Sequence, residues 1–362
     1  MQQYLLEQDY RDLSQALQKV SGALKDANIF ITGGTGFFGK WLLNSIKVMN
    51  DELGANIRAT VLSRNPQRFL DSMPHLKNDH FLTFLEGDVR DFSHPQRDYS
   101  HFVHAATVGN APSGSIEPVD MIATVVDGTR NVLEFARKCR PKAILLTSSG
   151  AIYGQQPPTL AAVSEDYSGG PDCTRYEFSY HESKRMSEMM CAAYAKEYGL
   201  QVKIARCFAF MGPHLPLEGN FAIGNFIKDA LSGSEITING DGTALRSYMY
   251  ASDLLLWLWA ILVDGENCRP YNVGSPEPVS IAQLANQVLS AFNDVRSPST
   301  DTAIKVTVRK QPVPGALAAR YVPSIERAAK ELGLEINVGL AEGIKRMLRW
   351  YLSSHLLIER MS

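Results

Sequence analysis

The sequence is short of the features that would send a chain outside the cell, into a bilayer or onto nucleic acid. Cysteine is sparse: Cys139, Cys173, Cys191, Cys207 and Cys268 are scattered, and none forms a C-x-x-C pair. Neither a disulfide framework nor a zinc site is expected, and no metal site is assigned. Long apolar runs are missing too. The most apolar stretch, "LLLWLWAILV" from Leu254 to Val263, is about half of the ~20 residues that a membrane helix needs, so a buried helix is expected there. Neither sign of charge dominates, because 36 basic residues face 38 acidic ones. A general nucleic-acid binder would carry a basic excess. The polar, charged N-terminus lacks the pattern of a secretory signal. A globular protein of the reducing cytoplasm is expected, with no membrane or nucleic-acid partner.

What is present is an alternation of short apolar runs and amphipathic stretches. Leu13, Ala16, Leu17, Val20 and Leu24 recur at helical spacing and predict a helix packed beside the core. Strands are expected in "NIFIT", "IRATVLS", "FLTFLEGDV", "HFVHAA" and "AILLTSSG", with helices between several of them, notably "GTRNVLEFARKC". Strands that alternate with helices predict a parallel sheet covered on both faces. After about residue 210, loops rich in Gly, Pro and Asn separate shorter elements. A second, smaller lobe is expected there.

The stretch "TGGTGFFG" spaces Gly33, Gly36 and Gly39 as G-x-x-G-x-x-G between the first strand and the first long helix. Glycine permits the tight turn and the close approach of a pyrophosphate, and the following helix N-terminus offers its amides to the anion. The dinucleotide contacts expected in this loop are Gly33, Thr35, Gly36, Phe37, Phe38 and Gly39. A carboxylate at the end of the second strand would hold the ribose hydroxyls of NAD. "LSRNPQR" offers Ser63, Arg64 and Arg68 instead, and guanidinium groups suit the 2′-phosphate of NADP. NADP is therefore preferred, with NAD as the alternative. Asp88 and Val89 of "EGDV" fall where an adenine is contacted. Ala105, Ala106 and Thr107 lie beside the cofactor, and His104 is read as a packed residue.

"YHESK" places Tyr180 and Lys184 at i and i+4, on one face of a helix. A nearby ammonium and a positive nicotinamide ring both favour a phenolate. Such a Tyr180 exchanges the proton of a sugar hydroxyl while hydride moves at carbon. Lys184 would also hold the nicotinamide ribose. Ser149, which ends the fifth strand, would hydrogen-bond the same sugar hydroxyl.

With "TGGTGFFG", "GDV", "SSGAIYG", "SYHESK", "MGP", "GDGTALRSY" and "YNVG" in this order, the chain resembles the extended short-chain dehydrogenase/reductase family, in its nucleotide-sugar epimerase/dehydratase branch. The resemblance covers roughly residues 27 to 351. It implies an α/β fold, a Rossmann-type doubly wound parallel sheet with a smaller mixed α/β C-terminal substrate lobe. The expected blocks are an N-terminal helical extension over 1–26, an NAD(P)-binding domain over 27–210, and a mainly nucleotide-sugar-binding lobe over 211–362. The chain is free to cross back between the lobes. The resemblance makes Ser149, Tyr180 and Lys184 a catalytic triad and implies a homodimer. It also places Arg246, Arg320, Asn220 and Ser149 at a nucleoside diphosphate sugar. Two polar positions of the family pattern are replaced here, by Val125 and Ala209.

In the resembling 4,6-dehydratases an Asp-Glu pair follows the triad Ser/Thr, and in uronic-acid decarboxylases a glutamate lies nearby. Those places hold Gly150 and Ala151, which transfer no protons. The expectation is hydride transfer at carbon 4 of the sugar, by a 4-keto reductase in preference to a 4-epimerase. The alternatives are a 4,6-dehydratase that uses Glu177 or Glu182, and a catalytically silent NADP-binding sensor. A steroid or flavonoid reductase is disfavoured by "GDGTALRSY", since such substrates carry no diphosphate.

Overall fold

The computed structural model describes residues 4–107, 117–219, 221–296 and 304–361. In the first half, the helices are α1 (Glu7–Ala16), α2 (Gln18–Ala23), α3 (Phe37–Leu53), α4 (Pro66–Ser72), α5 (Pro118–Ile122) and α6 (Gly128–Cys139). They are followed by α7 (Ser179–Tyr198), α8 (Ala222–Leu231), α9 (Ala251–Asp264), α10 (Ile281–Val295), α11 (Glu326–Leu332) and α12 (Leu340–Met361). The strands begin with β1 (Asn28–Thr32), β2 (Arg58–Ser63), β3 (Leu82–Glu86), β4 (His101–His104), β5 (Ala143–Ser149), β6 (Val202–Cys207) and β7 (Phe210–Met211). The later ones are β8 (Ile236–Ile238), β9 (Leu245–Arg246), β10 (Met249–Tyr250), β11 (Pro270–Val273), β12 (Val279–Ser280), β13 (Val306–Val308) and β14 (Arg320–Tyr321).

Seven strands form the main sheet, in the order β11-β6-β5-β4-β1-β2-β3, and every pairing in it is parallel. β5 is buried at every residue, because helices cover both faces of the sheet. α3 and α9 lie on one side, and α6 and α7 on the other. The strand order reverses between β1 and β4, which opens a crevice at their carboxyl ends for a ligand. Gly33 and Ala105 follow strand ends on that edge, and Ser149 ends β5 there.

The apolar run 254–263 lies in α9, where Trp257, Trp259, Ile261 and Leu262 are buried against the core. No helix among the described residues is long and apolar enough to cross a membrane. The C-terminal block does not stay in one place. β11 returns to the edge of the main sheet beside β6, and α9 packs on β5 and β6. The remaining short strands pair among themselves, with β9 between β12 and β14.

The N-terminal periodicity gives two helices, with Leu17 serving as the C-cap of α1 and the N-cap of α2. Leu13, Leu17 and Leu24 are fully buried. The side of α1 that meets α12 is polar. Asp9 is fully buried, accepts from Tyr250 Oη at 2.8 Å, and pairs with Arg346 at 2.9 Å. Burial raises its carboxyl to about 6 in spite of both partners. Removing one member of a buried pair leaves an uncompensated charge, which costs more than removing both. Arg346→Met is expected to destabilise the protein by ~3–5 kcal/mol. In urea unfolding, Asp9→Leu/Arg346→Met should recover much of that loss. A double variant less stable than Arg346→Met would contradict this account.

Candidate active site

The glycine loop is shaped by the backbone of the neighbouring strand end. Gly33 has φ +73°, and a Cβ there would lie 2.4 Å from the Ala105 carbonyl carbon. That contact presses the loop onto the Ala105–Ala106 segment. A Cβ on Gly39 would likewise meet the backbone of Gly34 at 2.2 Å. α3 begins at Phe37 with Gly36 as its N-cap, and no side chain caps it. Its first amides are thus left for an anion, which fits the pyrophosphate of a dinucleotide. Thr35, Phe37 and Phe38 are half-buried around this turn.

The Ala105–Thr107 segment is held from beneath by a buried polar chain. The Ala106 amide donates to Thr32 Oγ1 at 3.2 Å, and Thr32 Oγ1 lies 2.7 Å from His104 Nδ1. His104 Nε2 lies 3.1 Å from Thr129 Oγ1. Desolvation lowers His104 to about 3, so the ring is neutral. His104 is thus a packed, hydrogen-bonded residue. Thr129 also donates to the Val125 carbonyl at 2.6 Å, across a π-helical turn at 123–127.

At the end of β2, Ser63 is buried and its hydroxyl accepts from the Asn65 amide at 3.2 Å. Arg64 and Arg68 are exposed. The Asp88 carboxylate is bound by Arg90 at 2.8 Å, and with a smaller contribution from Arg64 this holds it below the usual carboxylate range. Val89 packs against Gly128, where a Cβ would lie 2.8 Å from Val89 Cγ1.

Ser149, Tyr180 and Lys184 come together where β5 ends against the start of α7. Lys184 is buried, and its Nζ donates to the Thr147 carbonyl at 2.9 Å. Nζ lies 5.9 Å from the centre of the Tyr180 ring. Ser149 and Thr107 are close enough to the Tyr180 phenol to pull it down against the effect of burial. Desolvation lowers Lys184 to about 8, while Glu188, one turn further on, partly opposes the shift. Desolvation also raises Tyr180, against the pull of Ser149 and Thr107. Burial therefore disfavours both charged forms. A cation placed against this phenol would reverse the effect on Tyr180.

Behind the triad, Glu188 is bound by Arg206 at 2.8 Å and accepts from Ser148 Oγ at 2.5 Å. Arg206 donates to Tyr153 Oη at 2.8 Å, and Tyr153 donates to Asn272 at 2.8 Å. This network fixes the base of the site.

Gly150 faces a wall that nothing nearby in the chain announces. A Cβ at this position would lie 2.7–2.8 Å from three carbons of the Phe208 ring. Phe208 packs with Tyr321 at a ring distance of 4.8 Å and with Tyr153 at 6.2 Å. Burial raises the Tyr321 phenol, and Ser149 partly opposes that rise. Glu177 pairs with Arg175 and Glu182 with Arg185, each at 3.5 Å on the more exposed side of the segment.

On the substrate side, β14 pairs with β9 so that Tyr321 lies opposite Arg246 and Arg320 opposite Leu245. Side chains alternate along a strand, so Arg246 shares a face with Tyr321 while Arg320 points to the other face. The Arg320 Nε donates to the Pro158 carbonyl at 3.0 Å. Arg246 thus shares a face with Tyr321, and Arg320 does not. Asn220 lies outside the described residues. Sequence reasoning missed Phe208 and Tyr321, for which no local pattern exists.

A parallel sheet with a glycine-rich turn at its switch point and a Ser–Tyr–Lys cluster beside it is the arrangement of the extended short-chain dehydrogenase/reductase fold. The model of the NAD dependent epimerase/dehydratase family matches residues 29–274, and the chain belongs to that family. UDP-glucuronic acid decarboxylase 5 of Arabidopsis thaliana is 30% identical over 320 residues, which cover 88% of this chain and 87% of that one. The crystal structure of the UDP-glucose 4-epimerase of Thermotoga maritima superposes with a TM-score of 0.73 at 23% identity, over 91% of this chain and 99% of that one. The dTDP-glucose 4,6-dehydratase of Bacillus anthracis, solved with NAD, gives 0.74 at 20% identity, over 93% and 100%. The expected fold is thus present in full.

The contact between Gly150 and Phe208 makes a direct prediction. Gly150→Ala should destabilise the protein by ~1–3 kcal/mol, the usual cost of overpacking. Trimming the ring in Gly150→Ala/Phe208→Leu should return part of it in thermal melts. Gly150→Ala with an unchanged melting temperature would show that the wall yields freely.

Proposed function

We propose that the protein transfers hydride and one proton at carbon 4 of a nucleoside diphosphate sugar, as a 4-keto reductase. The observation that carries this reading is the Phe208 ring against Gly150. The ring fills the place beside Ser149 where elimination or decarboxylation would need a carboxyl group. Ser149, Tyr180 and Lys184 remain, and they suffice for redox chemistry at one hydroxyl. The ion-paired positions of Glu177 and Glu182 support the same reading against a dehydratase.

In this scheme Tyr180 gives its proton to the carbonyl oxygen at carbon 4 during reduction and takes one from the hydroxyl in the reverse direction. Ser149 donates to the same oxygen. Lys184 keeps a positive charge beside the phenol and holds the nicotinamide ribose. The bound dinucleotide supplies the hydride. Arg246 pairs with the diphosphate, because a guanidinium fork matches two phosphate oxygens. Arg64 and Arg68, exposed at the end of β2, favour NADP, and with it a reductase that exchanges cofactor at each turnover. A 4-epimerase that retains NAD is the second reading, favoured by neighbours of this fold solved with NAD. A homodimer is part of the proposal, by family resemblance.

Three measurements test this. With a 4-keto-6-deoxy nucleotide sugar and reduced cofactor, Tyr180→Phe should lose at least ~100-fold in turnover, the lower end of general acid–base contributions. Its cofactor affinity should stay close to that of the parent. In the oxidative direction, the rate of the parent should fall above about pH 8 as Lys184 loses its proton. Near-parental turnover in Tyr180→Phe would remove it from the chemistry. Titration of stripped protein should show NADP binding more tightly than NAD. Tightly retained NAD would instead select the epimerase.

A further inference from the structure

His104 stands at a junction of buried hydrogen bonds that reaches from the glycine loop to the helix of the triad. Thr32, His104, Thr129, Thr147, Lys184 and Ser187 are each at most 5% exposed, so their polar groups must find partners within the protein. The ring lies between two hydroxyls, with Nδ1 2.7 Å from Thr32 Oγ1 on β1 and Nε2 3.1 Å from Thr129 Oγ1 on α6. Thr129 Oγ1 lies 3.0 Å from Ser187 Oγ on α7, and Ser187 donates to the Ser183 carbonyl at 3.0 Å. A second route runs through the backbone. The His104 carbonyl accepts from Thr147 Oγ1 at 3.3 Å, and the Thr147 carbonyl accepts from Lys184 Nζ at 2.9 Å.

The direction of the side-chain route follows from counting protons. A threonine hydroxyl has one proton to give. Thr129 gives it to the Val125 carbonyl at 2.6 Å. None is left for the ring, so His104 Nε2 must be the donor. A neutral imidazole carries a single N–H, so Nδ1 accepts the proton of Thr32. Thr32 in turn accepts from the Ala106 amide at 3.2 Å. Burial keeps the ring neutral, and Lys184 is the charged group that adds to this effect.

We propose that His104, as its Nε2–H tautomer, is a positioning residue that fixes the Ala105–Ala106 backbone against the glycine loop and ties it to the helix of Tyr180 and Lys184. There is no slack at this contact, since a Cβ on Gly33 would lie 2.4 Å from the Ala105 carbonyl carbon and oxygen. Loss of the Thr129 acceptor frees the ring to turn, and with it the Thr32 hydroxyl and the Ala106 amide. This role concerns dinucleotide binding alone, so it stands whether or not the protein reduces carbon 4.

Protein with ¹⁵N-labelled histidine rings is examined by long-range ¹H–¹⁵N NMR, which distinguishes the two neutral tautomers. His104 is assigned by its loss in His104→Gln or, should that variant not fold, by Overhauser contacts to the Thr32 and Thr129 methyl groups. The parent should show the Nε2–H tautomer, unchanged between about pH 5 and pH 8. In Thr129→Val the signature should move toward the Nδ1–H tautomer. That variant should also bind NADP⁺ and NAD⁺ about five- to tenfold more weakly, the worth of one buried hydrogen bond. Thr129→Ser, which keeps the hydroxyl, should retain both the tautomer and the affinity. Should Thr129→Val not fold, Thr129→Ala carries the same comparison. Ser187→Ala should weaken cofactor binding less, and add nothing in the Thr129→Val background, because the side-chain route to α7 passes through Thr129. An Nδ1–H tautomer in the parent would overturn the assignment. A folded Thr129→Val with unchanged affinity for both dinucleotides would also overturn it and leave His104 as a packing residue. Full additivity of Thr129→Val and Ser187→Ala would remove α7 from the chain.

Discussion

The structure of the site depends on one close approach, that of the Phe208 ring to Gly150. β5 and β6 are paired in register so that Ser149 lies opposite Cys207. The residues just past each strand, Gly150 and Phe208, meet in the same small space. Phe208 fills it with a ring, and Gly150 yields by having no side chain at all. A side chain at Gly150 would have to displace this ring. The ring also sets the stack of Tyr153, Phe208 and Tyr321 that joins the main sheet to the small β12-β9-β14 sheet.

Around that contact the chemistry divides into a dry half and a charged half. Tyr180 and Lys184 sit in the dry half, where burial opposes ionisation of both. Such a pair is poised to respond to a bound cation and to the hydroxyls of Ser149 and Thr107. The charged half lies behind, where Glu188, Arg206 and Glu165 are locked in a buried network through Tyr153 and Asn272. These carboxylates are engaged in holding the strand ends together. The site keeps acid groups close to the triad, and it ties them up.

The fold was largely legible in the sequence because its signals are local. The glycine loop, the run "AILLTSSG" and the Tyr180–Lys184 spacing each lie within one turn or one strand, and the structure places them as read. Less legible were features made by distant segments. Gly150 reads as an empty place in "SSGAIYG", and only the packing shows that a ring 58 positions later fills it. Tyr321 follows Arg320, yet the strand register puts Tyr321, not Arg320, on the face of Arg246. Asp9 lies in an N-terminal stretch whose leucines gave the helix. Its partners, Tyr250 and Arg346, lie more than two hundred residues away, and no periodicity encodes that pairing.

The central claim is the proposal that chemistry here is confined to carbon 4, because the Phe208 ring, and no carboxyl group, faces Gly150 among the described residues. The most direct measurement follows both positions at once. Nucleotide-linked sugars, including UDP-glucuronic acid and 4-keto-6-deoxy sugars, are incubated in heavy water with reduced cofactor deuterated at its transferable position, and the products are read by proton NMR. The account predicts deuterium from the cofactor at carbon 4, with the hydrogen at carbon 5 retained and no carboxyl group lost. Solvent deuterium at carbon 5, with a new methyl signal or released carbon dioxide, would contradict it.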